Sequence, residues 1–322
     1  MSDAGLLEDV RAGSEAVMQR ALSVRLEEEA LSKLCSELAG VEPARAGLDP
    51  AHHFVGDPDA TLAYVVTLDA LNFGSGWFPD LRKRPGLSGY FSMATALKER
   101  FERDGPWDAA ALQQIGAGRC AAIFGQEGMG PPAAELMDLF ATSLRDLGRW
   151  LSERWGGRFA GPVEAADGSA ARLAALLSEM PLYRDVSRYD ELEVPFFKRA
   201  QLTAADLSAA FEGRGFGAFH DLDRLTCFAD NLVPHVLRCE GVLRYTPELA
   251  QRIDGGELIP HGSREEVEIR AAAVHSVERC VEEIARRGGS LRPCELDFQL
   301  WSRGQRPEIK AHPRHRTRTT FY

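Results

Sequence analysis

Between Pro131 and Trp155, apolar residues recur at Leu136, Phe140, Leu144, Leu147 and Leu151. Steps of three and four residues put these side chains on one face of an α-helix. Gly156-Gly157 closes the stretch in the manner in which helices commonly end. A stripe of that length must be covered by other elements, and most of the remaining chain also reads as helix. Ser263 and Glu266 form a capping box, after which Val267, Val274, Val277, Val281 and Ile284 continue a second stripe as far as Gly288-Gly289. Thr246-Pro247 opens a shorter helix closed by Gly255-Gly256. Further helices are expected at 14–39, 59–71, 89–103, 107–116, 168–180, 203–212, 222–241 and 294–302. Within 59–71, Tyr64-Val65-Val66 would also suit a buried strand. One region breaks the pattern: Val186, Tyr189, Val194 and Phe196 flank a polar Asp190-Glu191 turn, as in a short β-hairpin. Neither an internal repeat nor a low-complexity linker divides the chain. The expectation is a mainly α protein, a single helical domain over residues 1–322 with a minor β-hairpin.

A chain of 322 residues with 44% hydrophobic content can bury a sizeable core. Its net charge of −10 argues against a general polyanion binder, because affinity for nucleic acid rests on neutralising phosphates with Lys and Arg. A small anionic ligand in a locally basic pocket remains open. Cys35, Cys120, Cys227, Cys239, Cys280 and Cys294 form no C-x-x-C pair and read as small buried residues. No charged-then-apolar leader opens the chain, and no apolar run reaches membrane-spanning length. A reducing cytoplasm is therefore expected, with no membrane partner.

The stretch from Thr226 to His235 places one carboxylate, Asp230, among apolar residues with Pro234 four positions later. Proline has no N–H to bond the carbonyl of residue 230, so a continuous helix bends or restarts there. Asp230 then either caps a helix whose first turn contains Pro234 or serves an assigned partner or task, since burying a charge is costly. Asp297 and Trp301 stand at i and i+4 of the 294–302 helix and share a face. A carboxylate beside an indole suits a flat nitrogenous ring, and it equally suits an ordinary amphipathic helix end. Lys198, after Pro195-Phe196-Phe197, either snorkels to solvent or holds an anion in a cleft. The basic residues Arg303, Arg306, Lys310, Arg314, Arg316 and Arg318 read as a solvated tail, although the final Phe321-Tyr322 suggests docking on the body.

Other chemistries find little support. Eight histidines include the adjacent pair His52-His53 but no H-x-x-x-H spacing, so no metal site is expected and no cofactor is assigned. Gly213-Arg214-Gly215-Phe216-Gly217 lacks the Lys-Ser/Thr of a phosphate loop and reads as a tight turn between helices. A G-x-S-x-G nucleophile elbow is absent.

Taken in order along the chain, a set of spaced pieces resembles the queuosine salvage proteins, the queuosine 5′-phosphate N-glycosylases. They are Asp69-Ala70-Leu71-Asn72-Phe73, Ser88-Gly89-Tyr90, Tyr183-Arg184-Asp185, Phe197-Lys198-Arg199-Ala200-Gln201 and Thr226-Cys227-Phe228-Ala229-Asp230 with Pro234. Further along come Arg264 to Arg270, Leu296-Asp297-Phe298 with Trp301, and His315-Arg316-Thr317-Arg318 through Phe321-Tyr322. The resemblance implies a fold similar to the helix-hairpin-helix DNA glycosylases and an activity that releases queuine from queuosine 5′-phosphate. It makes Asp230 the catalytic carboxylate and Phe228, Asp297 and Phe298 base-binding positions. His53, Trp301, Asn231, Ser302 and Lys198 join the implied substrate-binding set. Some members carry Tyr where this chain has Phe298, and Asp where it has Ser302, so the hydrogen bonds of those side chains are altered here. The implied partner is the small-molecule substrate, with no nucleic acid required. Two rival readings are a non-catalytic queuosine or tRNA-binding factor and a DNA-repair-type glycosylase; the acidic net charge speaks against the second.

Overall fold

Short polar side chains set many of the helix starts. Asp57, Ser88, Asp108, Ser169, Thr246 and Ser263 each accept the N–H three residues on, satisfying a donor that a first helical turn leaves open. The structure, a computed structural model, describes residues 5–39 and 47–322. In chain order its elements are α1 (Leu6–Met18), β1 (Val24–Leu26), α2 (Glu28–Leu38), α3 (Pro58–Ala70), α4 (Gly89–Asp104), α5 (Ala109–Gln113), α6 (Ala117–Ile123) and α7 (Pro131–Trp155). Then follow α8 (Ala160–Ala166), α9 (Ala170–Leu177), β2 (Val186–Tyr189), β3 (Leu192–Pro195), α10 (Lys198–Ala210), α11 (Val233–Cys239), β4 (Leu243–Tyr245), α12 (Pro247–Asp254), α13 (Arg264–Arg286), α14 (Pro293–Arg303) and α15 (Pro307–Lys310). The protein is mainly helical. Its two sheets among the described residues are antiparallel pairs, β1 with β4 and β2 with β3.

The chain divides into two compact units, each of three segments. The first comprises Met1–Ala46, Asp185–Gln201 and Asp221–Arg318. Its centre is α13, which packs on α1, α2, α11, α14 and β1 and buries Val267, Val274, Val277 and Ile284 of the expected stripe. The second comprises Gly47–Arg184, Leu202–His220 and Thr319–Tyr322. There α7 packs on α3, α5, α6 and α8. Gly148 permits the close approach of α7 to α5: a Cβ at that position would lie 2.6 Å from the Ala109 carbonyl oxygen and 2.7 Å from Leu112 Cβ.

Several expected elements stand, among them α7, α13, α12 and the β2–β3 hairpin. Tyr64-Val65-Val66 lies in α3, whose described residues from Ala60 to Ala70 are all buried. Two long helices do not form. The expected helix at 14–39 is broken by β1, because the Glu268 carboxylate accepts the N–H groups of Leu22, Ser23 and Val24 at 3.1, 2.6 and 3.1 Å. The expected helix at 222–241 is a single 3-10 turn, an extended stretch and then the short α11. The Ser263 hydroxyl accepts the Glu266 N–H as expected, while the Glu266 carboxylate reaches back to the N–H of Gly262. Downstream of α10 the glycine-rich turn leads into a 3-10 turn at Gly215–Gly217, not a second α-helix.

The basic C-terminus is docked rather than solvated. Arg316 bridges Leu258 in parallel, its carbonyl accepting the Ile259 N–H at 2.8 Å, and the Thr317 hydroxyl donates to the Ile259 carbonyl at 2.9 Å. Burial alternates, with His315 and Thr317 buried and Arg314, Arg316 and Arg318 half-buried, as the period of an extended chain requires. In the second unit the Tyr322 carbonyl accepts the N–H of Gly74 at 3.0 Å. Among the described residues no helix is long and apolar enough to cross a membrane.

Candidate active site

Residues 225–230 of the first unit belong to no helix or strand, yet they are buried up to Ala229. A buried backbone without a ladder needs side-chain partners for its polar groups. Four helices supply them. Arg11 of α1 donates to the carbonyls of Arg224 and Leu225 at 2.8 and 3.3 Å. Gln201 of α10 accepts the Thr226 N–H at 2.7 Å and donates to its hydroxyl at 2.9 Å. Asp297 of α14 accepts the Phe228 N–H at 2.8 Å and the Cys227 thiol at 3.2 Å through one oxygen, Oδ1. Arg270 of α13 donates from Nε to the Ala229 carbonyl at 2.9 Å.

Asp230 follows directly and is half-buried. Its Oδ1 accepts the N–H groups of Leu232 at 2.7 Å and Val233 at 3.0 Å, where α11 begins with Pro234 in its first turn. The capping reading is thus correct, and it leaves the second oxygen available. Oδ2 accepts no hydrogen bond among the described residues. One oxygen of the carboxylate caps α11, and the other is not used by the cap.

Asp297 is buried, and burial, reinforced by the charge of Asp230, pushes its carboxyl up to about 8. Of the two neighbouring carboxyls, Asp297 is thus the one whose surroundings favour the neutral form. Lys198 is buried at the first turn of α10, and its positive charge works in the opposite direction on Asp297. Of the tail arginines, Arg314 has a guanidinium whose burial lowers its pKa while the nearby Asp230 raises it. Asn231 donates to the His315 carbonyl at 3.2 Å and so lashes the tail to the Asp230 segment. The His315 imidazole is driven down to about 3 by burial and by Arg314, and is neutral. On α14, Phe298 and Trp301 lie half-buried with rings nearly parallel, 14° apart at a centroid distance of 6.3 Å. Ser302, also half-buried, follows Trp301 on the same helix.

Every sequence-expected site residue except His53 belongs to the first unit. In the second unit His53 is buried, bonded through Nε2 to the Tyr90 hydroxyl at 3.0 Å and through Nδ1 to the Asp49 carbonyl at 3.1 Å. Burial holds its pKa below the usual histidine value. Its neighbour His52 instead meets the Thr95 hydroxyl at 3.0 Å. Sequence reasoning quoted Asp185, Gln201 and Arg270 within the matching pieces without giving them a role, and missed Arg11 altogether. An arginine within the apolar run Val267–Val274 was the available signal, since charges are rarely buried without partners. No cluster of three His, Cys, Asp or Glu residues suited to a metal occurs among the described residues.

Residues 52–322 match the sequence model of the family described as queuosine salvage protein. The chain belongs to the queuosine salvage protein family. A Sphaerobacter thermophilus relative named queuosine 5′-phosphate N-glycosylase/hydrolase is 38% identical over 100% of both chains. Relatives of the same name from Dictyostelium discoideum and Bos taurus are 34% identical over 82% of this chain (79% of theirs) and 32% identical over 83% of each.

Proposed function

We propose that this member of the queuosine salvage family hydrolyses the N-glycosidic bond of queuosine 5′-phosphate, releasing queuine and ribose 5-phosphate, and that residues 1–322 act as one glycosylase-like domain of the helix-hairpin-helix kind. The observation that carries the mechanism is the pair of unlike carboxyls. Asp230 offers a spare oxygen from a half-buried position, and Asp297 holds its proton at neutral pH.

The leaving base is a 7-deazaguanine, in which a carbon replaces the nitrogen that ordinary purine glycosylases can protonate. It departs reluctantly, so the enzyme must stabilise positive charge on the ribose. As the C1′–N bond breaks, its electron pair leaves with the base. Asp230 Oδ2 faces the resulting oxocarbenium-like carbon, and a carboxylate in a partly dry site contributes several kcal/mol there, on the order of the effect of one preorganised charge. Water then adds at C1′, oriented by Asp230 or after collapse to a transient ribosyl ester, and the proton that this water loses neutralises the departing base nitrogen. Two N–H groups on Oδ1 fix the direction of the other oxygen.

Recognition divides among the neighbours. With Oδ1 already accepting two bonds, a neutral Asp297 presents its Oδ2 hydroxyl to the guanine-like edge. Phe228, Phe298 and Trp301 wall or stack the base, with Asn231 and Ser302 completing the first unit's substrate-binding set. Lys198 and a tail arginine, of which Arg314 is electrostatically tied to Asp230, meet the 5′-phosphate. The test is incubation with queuosine 5′-phosphate and detection of free queuine by mass. Absence of queuine release by the wild-type protein would sink this function.

A further inference from the structure

We propose that the buried Asp185–Arg270 pair is a positioning strut that aims both Asp230 and Lys198; this rests on the roles given to those two residues above. Arg270 lies on α13 with no exposed side-chain surface, and Asp185 is 2% exposed. Their contact is a two-pronged fork, Nη1 to Oδ1 at 2.8 Å and Nη2 to Oδ2 at 2.7 Å. The remaining edge of the same guanidinium donates from Nε to the Ala229 carbonyl at 2.9 Å. Its plane lies over the Phe196 ring, 4.0 Å from the centroid. Rotation of the guanidinium is therefore blocked by partners on both edges and by a ring on its face.

The other end of the strut holds the start of α10. Asp185 Oδ2 accepts the Lys198 N–H at 3.1 Å, and the Asp185 carbonyl accepts the N–H groups of Phe196 and Phe197 at 2.9 and 3.3 Å. Between them Phe197 sits at φ +48°, a left-handed conformation that is costly for an aromatic side chain and persists only where the surroundings impose it. One residue thus fixes three successive N–H groups around a strained turn, two through its backbone carbonyl and that of Lys198 through its carboxylate. Through Arg270 it also fixes the peptide plane immediately before Asp230.

Energetics favour an aiming role over a stabilising one. Removing two charges from water costs about as much as their attraction returns, so a buried pair is often no more stable than apolar residues of the same volume. What such a pair adds is direction. Residues 225–230 have no ladder of their own, and Arg270 alone of their four side-chain supports grips the residue adjoining Asp230. A small displacement of a reacting group can cost about a hundredfold in rate.

The experiment compares Arg270→Lys and Asp185→Asn with wild type, measuring kcat and KM on queuosine 5′-phosphate and on queuosine, together with the melting temperature. A lysine keeps the charge but cannot serve the fork and the Ala229 carbonyl together. Arg270→Lys should lower kcat about 10- to 100-fold, leaving KM and the preference for the phosphorylated substrate nearly unchanged. Asp185→Asn should lower kcat and also weaken that preference, because the Asp185 carboxylate accepts the Lys198 N–H. Folded variants with wild-type kcat overturn the strut. So does failure of both to fold, which would make the pair a stability element. If wild type itself releases no queuine, the fault lies with the assigned function and not with the strut.

Discussion

Asp297→Asn is expected to spare the protein the loss of stability that the wild type suffers as pH rises. In the fold the Asp297 carboxyl titrates at about 8, against an ordinary value of 3.8. Between those two pH values the folded chain holds a proton that the unfolded chain has released. Stability from this group is therefore fully present below about pH 4 and declines as pH rises towards 8. The slope is about 1.4 kcal/mol per pH unit, and integration from pH 5 to pH 8 gives a loss of about 3–4 kcal/mol if no other group compensates. Asparagine matches the carboxyl in shape, and its Oδ1 can still accept the Phe228 N–H and the Cys227 thiol now bound by Asp297. It cannot ionise, so the slope disappears. Urea unfolding of both proteins at pH 5, 6.5 and 8 should show the variant gaining on wild type at each step. Parallel curves would refute the claim that burial, aided by Asp230, keeps this carboxyl protonated. Queuine release should persist in the variant, because the amide keeps an acceptor at Oδ1 and a donor at Nδ2 where the neutral carboxyl has an acceptor and a hydroxyl.

Three other outcomes follow from the same geometry. Asp230→Asn should abolish queuine release while calorimetry still detects ligand binding, since the amide oxygen can cap α11 but carries no charge for the ribose. Lys198→Met should raise KM for queuosine 5′-phosphate about tenfold, the equivalent of one lost charge-assisted contact of about 1.4 kcal/mol, with little effect on queuosine; equal effects on both would remove Lys198 from the phosphate. Gly148→Ala, far in sequence from Asp230, should cost about 1–3 kcal/mol by overpacking, because its methyl would press on the α5 backbone. An unchanged melting temperature would show that α7 and α5 separate without penalty.

Much of the fold was legible wherever the signal was local. The stripe at 131–155, the cap at Ser263 and the polar turn at Asp190-Glu191 each state a preference within a few residues, and each element formed. Asp230 was legible as chemistry for a related reason, because Pro234 forces an irregular backbone and an acid placed there attracts notice. The failures share a cause. Residues 14–39 and 222–241 carry enough apolar residues to read as helix, but carboxylates and arginines distant in sequence claim their N–H and C=O groups instead.

The sequence by itself therefore determined the helical class, the hairpin and, through a resemblance, the family. Tertiary structure decided that Asp297 keeps a proton, that one oxygen of Asp230 is occupied and the other spare, and that an arginine from α13 grips the peptide before it. Periodicity and capping depend on neighbours along the chain, which a reader of residues can see. Desolvation and the partners of buried charges depend on groups 85 and even 244 residues apart, and only the folded chain brings those together.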